Sequence, residues 1–227
     1  MSEVWRHEWK YLIDETTIIH LKQCLSAFMN ADKHHTSSRG YTIRSLYFDT
    51  IFDTFMDDNE AGIDQRNKYR IRYYGQDQTH LHLEIKRKSH GLCHKISHGL
   101  TKQQYDDLIH DHFMAFYDKT IDTTLQHMIM DHQRYHLLPK VIVEYDRYAL
   151  VYPSGNVRIT FDQNIRKVDR PSLFFDPIIP WTMVEPNGMH ILEVKYDDLL
   201  PSLIKTMLDD FKLTQIAHSK YYLSRIV

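Results

Sequence analysis

Cysteine, glycine and long apolar runs are all scarce in this 227-residue chain, and each shortage closes a route. The two cysteines, Cys24 and Cys93, cannot form a disulfide framework at this length and belong to no CxxC pair, so a reducing cytosol is the expected compartment. With only seven glycines there is neither a GxGxxG nor a GxxxxGK[ST] stretch, which sets aside dinucleotide-binding and P-loop readings. No run approaches the roughly 18 apolar residues of a membrane span. The amino terminus, Met1 to Glu8, also lacks the apolar core of a signal peptide. A cytoplasmic chain with no membrane segment of its own is therefore expected. Excess charge of one sign is missing too: 28 Lys and Arg against 30 Asp and Glu leave −2, which predicts no nucleic-acid partner and no general attraction to polyanions. Repeats, low-complexity tracts and Pro/Ser/Gly linkers are absent, so residues 1–227 read as one domain.

What is present alternates between two periods. Apolar residues at helical spacing follow a cap candidate at Asp14 (Ile18, Leu21, Leu25, Phe28). They follow Thr101 with its capping-box partner Gln104 (Leu108, Phe113, Phe116), and they follow Pro201 (Leu203, Ile204, Met207, Leu208, Phe211). Period-2 stretches occupy 3–13, 41–49, 66–74, 79–88, 140–151, 156–162, 189–196 and 217–226. Eight strands outnumber the helices, so the predicted class is α+β with a large antiparallel sheet.

Because successive strand side chains point to opposite faces, residues of equal parity share a side. Arg66, Lys68, Arg70 and Arg72 fall together, opposite Asn67, Tyr69, Ile71 and Tyr73. Lys86 and Lys88 share a face with Glu84, Arg158 with Asp162, Arg147 with Tyr145, Lys195 with Glu193, and Arg6 and Lys10 with Glu8. A solvated sheet face normally mixes charges, since like charges opposite one another weaken strand pairing. So many cations on one side fit a face that meets an anion, and guanidinium groups suit phosphate oxygens. Helices would cover the aliphatic face (Ile71, Leu83, Ile85, Val157, Ile159, Leu192, Val194). The charged face would then line a water-filled barrel, a closure that also removes sheet edges.

Eight segments in order, Arg-His-Glu-Trp-Lys-Tyr-Leu-Ile (6–13), Ser-Leu-Tyr-Phe-Asp-Thr (45–50), Lys-Tyr-Arg-Ile-Arg-Tyr-Tyr-Gly (68–75), Leu-Glu-Ile-Lys-Arg-Lys (83–88), Val-Glu-Tyr-Asp-Arg (143–147), Val-Arg-Ile-Thr-Phe-Asp (157–162), Ile-Leu-Glu-Val-Lys-Tyr (191–196) and Ser-Lys-Tyr (219–221), resemble the VTC domain. This is the polyphosphate polymerase module within the CYTH, or triphosphate tunnel metalloenzyme, superfamily. The resemblance implies an eight-stranded antiparallel tunnel holding phosphates, with outer amphipathic helices. It assigns catalytic phosphate contacts to Lys10, Arg70, Arg72, Lys86, Arg158 and Lys220, further contacts to Lys95 and Arg147, and hydrogen bonds to Tyr47, Tyr145 and Ser219. Lys68, Lys88 and Lys195 join them by parity, whereas Arg44 has the opposite parity from Tyr47 and stays outside the site. Glu193 matches the metal-ligating glutamate, for Mn²⁺ or Mg²⁺.

Tunnel phosphohydrolases typically open with ExExK. Here Arg6 stands where the first glutamate would be, which tilts the expectation from hydrolase to polymerase. The implied reaction moves the ATP γ-phosphate to a polyphosphate chain. The alternatives are a polyphosphate-binding module without catalysis, or a tunnel triphosphatase or nucleotide hydrolase acting on triphosphate or pyrophosphate. A separate membrane partner is compatible with the resemblance, whose eukaryotic complexes also carry an SPX sensor and membrane helices that this sequence does not show. The many histidines (His80, His82, His90, His94, His98, His110, His112) lack ligand spacing and are read as solvated, with His80 and His82 possible neighbours of a tunnel mouth. The 172–181 stretch, with Phe174, Phe175 and Trp181, is read as a packed loop.

Overall fold

The computed structural model describes residues 4–35, 40–110, 112 and 123–227. In chain order the elements are β1 (His7–Asp14), α1 (Glu15–Ser26), β2 (Asn30–Ala31), β3 (Tyr41–Asp49), α2 (Thr54–Glu60), β4 (Arg66–Tyr74), β5 (Asp77–Ser89), β6 (Leu92–Leu100), α3 (Lys102–Ile109), α4 (Thr123–Tyr135), β7 (Leu138–Tyr152), β8 (Val157–Val168), β9 (Thr182–Met183), β10 (Met189–Tyr196), α5 (Ser202–Asp210) and α6 (Lys220–Ile226). The long strands pair antiparallel in the order β1-β10-β8-β7-β3-β4-β5-β6, with β2 and β9 as short additions.

The caps read from the sequence start the helices. Asp14 accepts a hydrogen bond from the Thr17 amide at 2.7 Å, and Thr101 and Gln104 complete the reciprocal capping box. α1 and α5 lay Ile18, Leu21, Leu25, Ile204 and Leu208 on the outer face of β1, β10 and β8. α3 and α4 lay Tyr105, Leu108, Leu125, Met128 and Ile129 on Ile71, Leu83 and Ile85 of β4 and β5. Full burial of a side chain such as Leu21 or Leu25 stabilises the fold by about 1.5–3 kcal/mol. The 172–181 loop packs as expected, Phe174 stacking on Tyr105 and standing edge-on to Tyr73.

Two strand assignments are corrected. The 217–226 stretch carries helix α6 from Lys220 rather than a strand: Ser219 caps the helix by accepting from the Tyr222 amide, and the buried residues Lys220, Tyr221 and Ser224 follow a helical step. In its place Leu92–Leu100, outside every strand read from the sequence, is strand β6. His90 (φ 51°) and Gly91 (φ 75°) supply the left-handed pair that a tight hairpin from β5 requires. The predicted α3 positions Phe113 and Phe116 lie outside the described residues. α2 and α4 were not anticipated.

The sheet curls into a partly closed barrel. Its edge strands meet at one bridge, where the Arg6 amide donates to the Cys93 carbonyl at 3.0 Å and the Cys93 amide donates back at 2.9 Å. Full closure was expected to abolish both edges. Instead part of β1 pairs with the carboxy-terminal segment, Tyr11 bridging Gln215 and the Ile216 amide donating to the Lys10 carbonyl at 2.8 Å. That segment leads into α6, whose Tyr221 packs on Tyr47 inside the curl.

Candidate functional site

Inside the curl, β4, β5, β6, β7, β8, β10, β1 and α6 all contribute cations. A cavity of about 230 Å³ is lined by Lys10, Lys68, Arg70, Arg72, Lys86, Lys95, Arg147, Arg158, Lys195 and Lys220, together with Tyr47, Tyr145, Glu193 and Ser219. Every site residue expected from the sequence is therefore brought together except Lys88. Two positions past Lys86 on β5, Lys88 lines only the wider vestibule, of about 800 Å³, that leads in. Parity placed these residues where it was applied to true strands. Lys220 arrives by another route, from the first turn of α6.

Apart from Glu193, sequence reasoning gave the acids of the site no role. Glu8 receives Lys86 at 2.5 Å and Lys10 at 3.0 Å, with Lys195 at 3.6 Å. Glu84 receives Arg70 at 2.7 Å, Lys95 at 3.0 Å and Arg72 at 3.5 Å. Asp162 holds Arg147 in a paired fork at 2.6 and 2.7 Å and Lys220 at 2.7 Å, while Glu193 holds Lys195 at 2.8 Å and Lys10 at 3.7 Å. The signal was available, since these acids share the parity of the cations on their strands. Arg6 also lines the cavity, tied to Asp197 at 2.9 Å.

Burial, the largest influence, pushes all four carboxyls up, yet each lies below its ordinary range because several cations outweigh it. Arg72, Arg70 and Lys95 hold Glu84 well down. Lys195, Lys10, Lys220 and Lys86 do the same for Glu193. Glu8 is lowered by Lys86, Lys10 and Lys195 against the repulsion of Glu193, and Asp162 falls to about 2 beside Arg147 and Lys220. The Tyr47 phenol, raised by burial, is lowered on balance by Arg70, Arg72 and Lys220, and its oxygen accepts from Arg70 at 3.1 Å.

Even so, donors remain unmatched. The Nε atoms of Arg72 and Arg158 and the hydroxyl of Thr160 are buried without a hydrogen-bond partner among the described residues. An unpaired buried donor costs about 1–3 kcal/mol, so the lumen as it stands is an incomplete shell of positive and polar groups.

The predicted mouth histidines separate. His80 pairs with Asp77 on the surface at 2.6 Å, while His82 stands edge-on to Tyr74 beside the lumen, its pKa lowered by burial despite Glu84. Arg44 lies on the outer face with Glu144 and Trp181, as its parity required.

A divalent cation was expected on Glu193. Among the described residues no three His, Cys, Asp or Glu side chains form a protein cage. Glu8 and Glu193, however, sit on paired strands, face the same lumen and share Lys10 and Lys195. That donor set fits Mg²⁺ or Mn²⁺, which take one or two carboxylates and complete their shell with phosphate oxygens and water.

A curled antiparallel sheet with a cation-lined lumen and helices outside defines the triphosphate tunnel class of fold. Within it the chain belongs to the VTC domain family, whose model matches residues 5–226. No curated protein matches significantly. Among solved structures, a candidate adenylate cyclase from Bacillus halodurans is similar at 13% identity and TM-score 0.57, covering 96% of both chains. A candidate adenylyl cyclase from Hippeastrum, described as having a dominant triphosphatase activity, is similar at 13% identity and TM-score 0.53, covering 98% of this chain and 95% of its own. The PH1819 protein from Pyrococcus horikoshii follows at 12% identity and TM-score 0.50, covering 96% and 97%. At these identities the likeness is one of fold.

Proposed function

We propose that this chain is a phosphotransferase that moves the γ-phosphate of ATP onto a polyphosphate chain lying in the lumen. The observation that carries this reading is the lumen ring of buried Arg72, Arg147 and Lys220 with half-buried Arg70 and Arg158, and the unmatched donors on Arg72, Arg158 and Thr160. Phosphoryl transfer asks a protein mainly for in-line positioning and charge stabilisation, both of which fixed guanidinium and ammonium groups supply. Arg70 and Arg72, on one strand face, grip consecutive parts of the chain from one side, and Arg147 and Lys220 approach from the other. Tyr47 and Ser219 orient phosphate oxygens. No protein nucleophile is needed, because a phosphate oxygen of the acceptor attacks. Glu193 and Glu8 would hold a divalent cation, which when bound supplies charge neutralisation to the transferring group.

A tunnel triphosphatase is the second reading. It is favoured by the activity described for the Hippeastrum neighbour and by Glu8, which keeps one of the carboxylates expected in a hydrolase. Incubating the pure protein with ATP and Mn²⁺ separates the cases: a polyphosphate ladder supports the polymerase, and orthophosphate alone supports the hydrolase. Tripolyphosphate binding without turnover leaves a binding module.

A further inference from the structure

The vestibule and the lumen meet at a neck, the side chains lining both being Lys10, Lys68, Lys86 and Ser219. Three lysines thus converge where a chain must pass, and they are not equivalent. Lys10 and Lys86 each reach Glu8, at 3.0 and 2.5 Å. Among the described residues Lys68 pairs with no carboxylate: its Nζ donates to Asn59 Oδ1 at 2.8 Å and to Ser219 Oγ at 2.7 Å, two uncharged oxygens. An amine has two N–H groups and an ammonium three, so these two bonds use both donors of the neutral form. The ammonium would leave one N–H and a full charge facing the neck.

The groups around Lys68 favour the neutral form. Lys10 from β1, Lys86 from β5 and Arg66 from its own strand repel a proton. Glu8 attracts one but is shared among Lys10, Lys86 and Lys195, and α2 and α6 contribute the uncharged Asn59 and Ser219, with Glu60 at the vestibule wall. Burial first, and then these cations, hold the amine well below the ordinary lysine range.

We propose that Lys68 is a proton-linked phosphate ligand, taking up a proton from solvent as a condensed-phosphate chain enters the neck, so that filling the lumen is coupled to pH. This rests on the reading of the lumen as a phosphate-chain site. The phosphate oxygens supply the negative charge that the neck lacks around Lys68, the third N–H gains an acceptor, and the proton is retained while the chain stays. By linkage, a group whose pKa rises on binding makes affinity strongest below its free-state value. Affinity then weakens, by about tenfold per pH unit, as pH climbs toward the bound-state value.

The test is calorimetric titration of sodium tripolyphosphate into the metal-free protein at pH 8, in two buffers of different ionisation enthalpy. Wild type, Lys68→Arg, which stays charged, and Lys68→Met, which cannot titrate, are compared so that protons exchanged by the ligand itself cancel. Wild type should take up more protons per tripolyphosphate than either variant, and Lys68→Arg should show a flatter dependence of affinity on pH. Equal proton counts in all three proteins overturn the proposal. The wild-type lysine ¹³Cε spectrum decides independently of any variant's folding: a neutral-amine signal that moves to the ammonium position on adding tripolyphosphate is expected, and no such signal overturns it. If wild type binds no tripolyphosphate at any pH, the tunnel reading itself falls, and this inference with it.

Discussion

Two clusters of arginine and carboxylate lie on opposite faces of the same sheet and behave differently. Outside, Glu144 is held by Arg44 and Arg166, each at 2.5 Å, and Arg44 also donates to the carbonyls of Phe174 and Asp176 at 3.1 and 2.9 Å. Both guanidinium groups lie over Trp181, at 5.4 and 5.5 Å from its ring centre. The donors there point at protein atoms, and the cluster fastens the 171–181 loop to the sheet. Inside, cations outnumber the carboxylates that pair with them, Asp32 on Arg158 included, and buried donors stay unmatched. Residue type alone does not separate a brace from a binding site. Whether the donors are saturated does.

That contrast can be broken at its strongest point. Asp162→Asn leaves Arg147 and Lys220 buried without their carboxylate, and the ligand-free protein should lose about 3–5 kcal/mol in urea denaturation, with tripolyphosphate restoring part of it. Glu144→Gln should also destabilise, by about 1–3 kcal/mol, but with no recovery on adding tripolyphosphate. Recovery in both, or in neither, would erase the distinction drawn between the faces.

Activity should divide along the same line. Arg70→Ala or Lys220→Ala is expected to slow ATP-dependent phosphate transfer by about a hundredfold or more, comparable to removing one transition-state donor, while Glu144→Gln at a temperature where it stays folded keeps near-normal turnover. Acid sharpens the comparison further. Asp162 is depressed to about 2, so its stabilisation is complete above the ordinary aspartate value of 3.8 and is lost as pH falls through about 2. The acid limb of a pH–stability curve should therefore carry about 2 kcal/mol from this residue, absent in Asp162→Asn. Salt gives the smallest effect: tripolyphosphate affinity should fall with added NaCl while the melting temperature of the ligand-free protein holds or rises slightly, because screening relieves repulsion among the lumen cations.

Much of this was legible in period-2 patterning. Arg70, Arg72, Lys86, Arg147, Arg158, Lys195 and Glu193 reach the lumen because their strands are long and their alternation is clean. Legibility failed where alternation was ambiguous or interrupted. The run around Tyr221 and Leu223 alternates well enough to imitate a strand, and only the Ser219 cap marks it as helix. β6 was hidden by its histidines, although Leu92, His94, Ile96, His98 and Leu100 share one parity and only Lys95 among its neighbours carries charge. Partial closure was not readable at all, since it depends on which segment reaches the free edge of β1. The uncharged partners of Lys68 were likewise not read: Asn59 lies nearby in sequence but on the unanticipated helix α2, and Ser219 comes from the remote start of α6.

The alternation in β4 carries one more implication. Lys68, Arg70 and Arg72 look inward, while Tyr69 reaches Asp131 of α4 and Ile71 and Tyr73 join the outer core. Were β4 to pair one residue out of step, all of these side chains would change sides, and three cations would be pressed into an apolar core beneath α4, where Asp131 is the acid Tyr69 now reaches. The row of lumen cations therefore also rejects mispaired hairpins during folding, so a substitution there can damage the route to the native sheet as well as the lumen it lines.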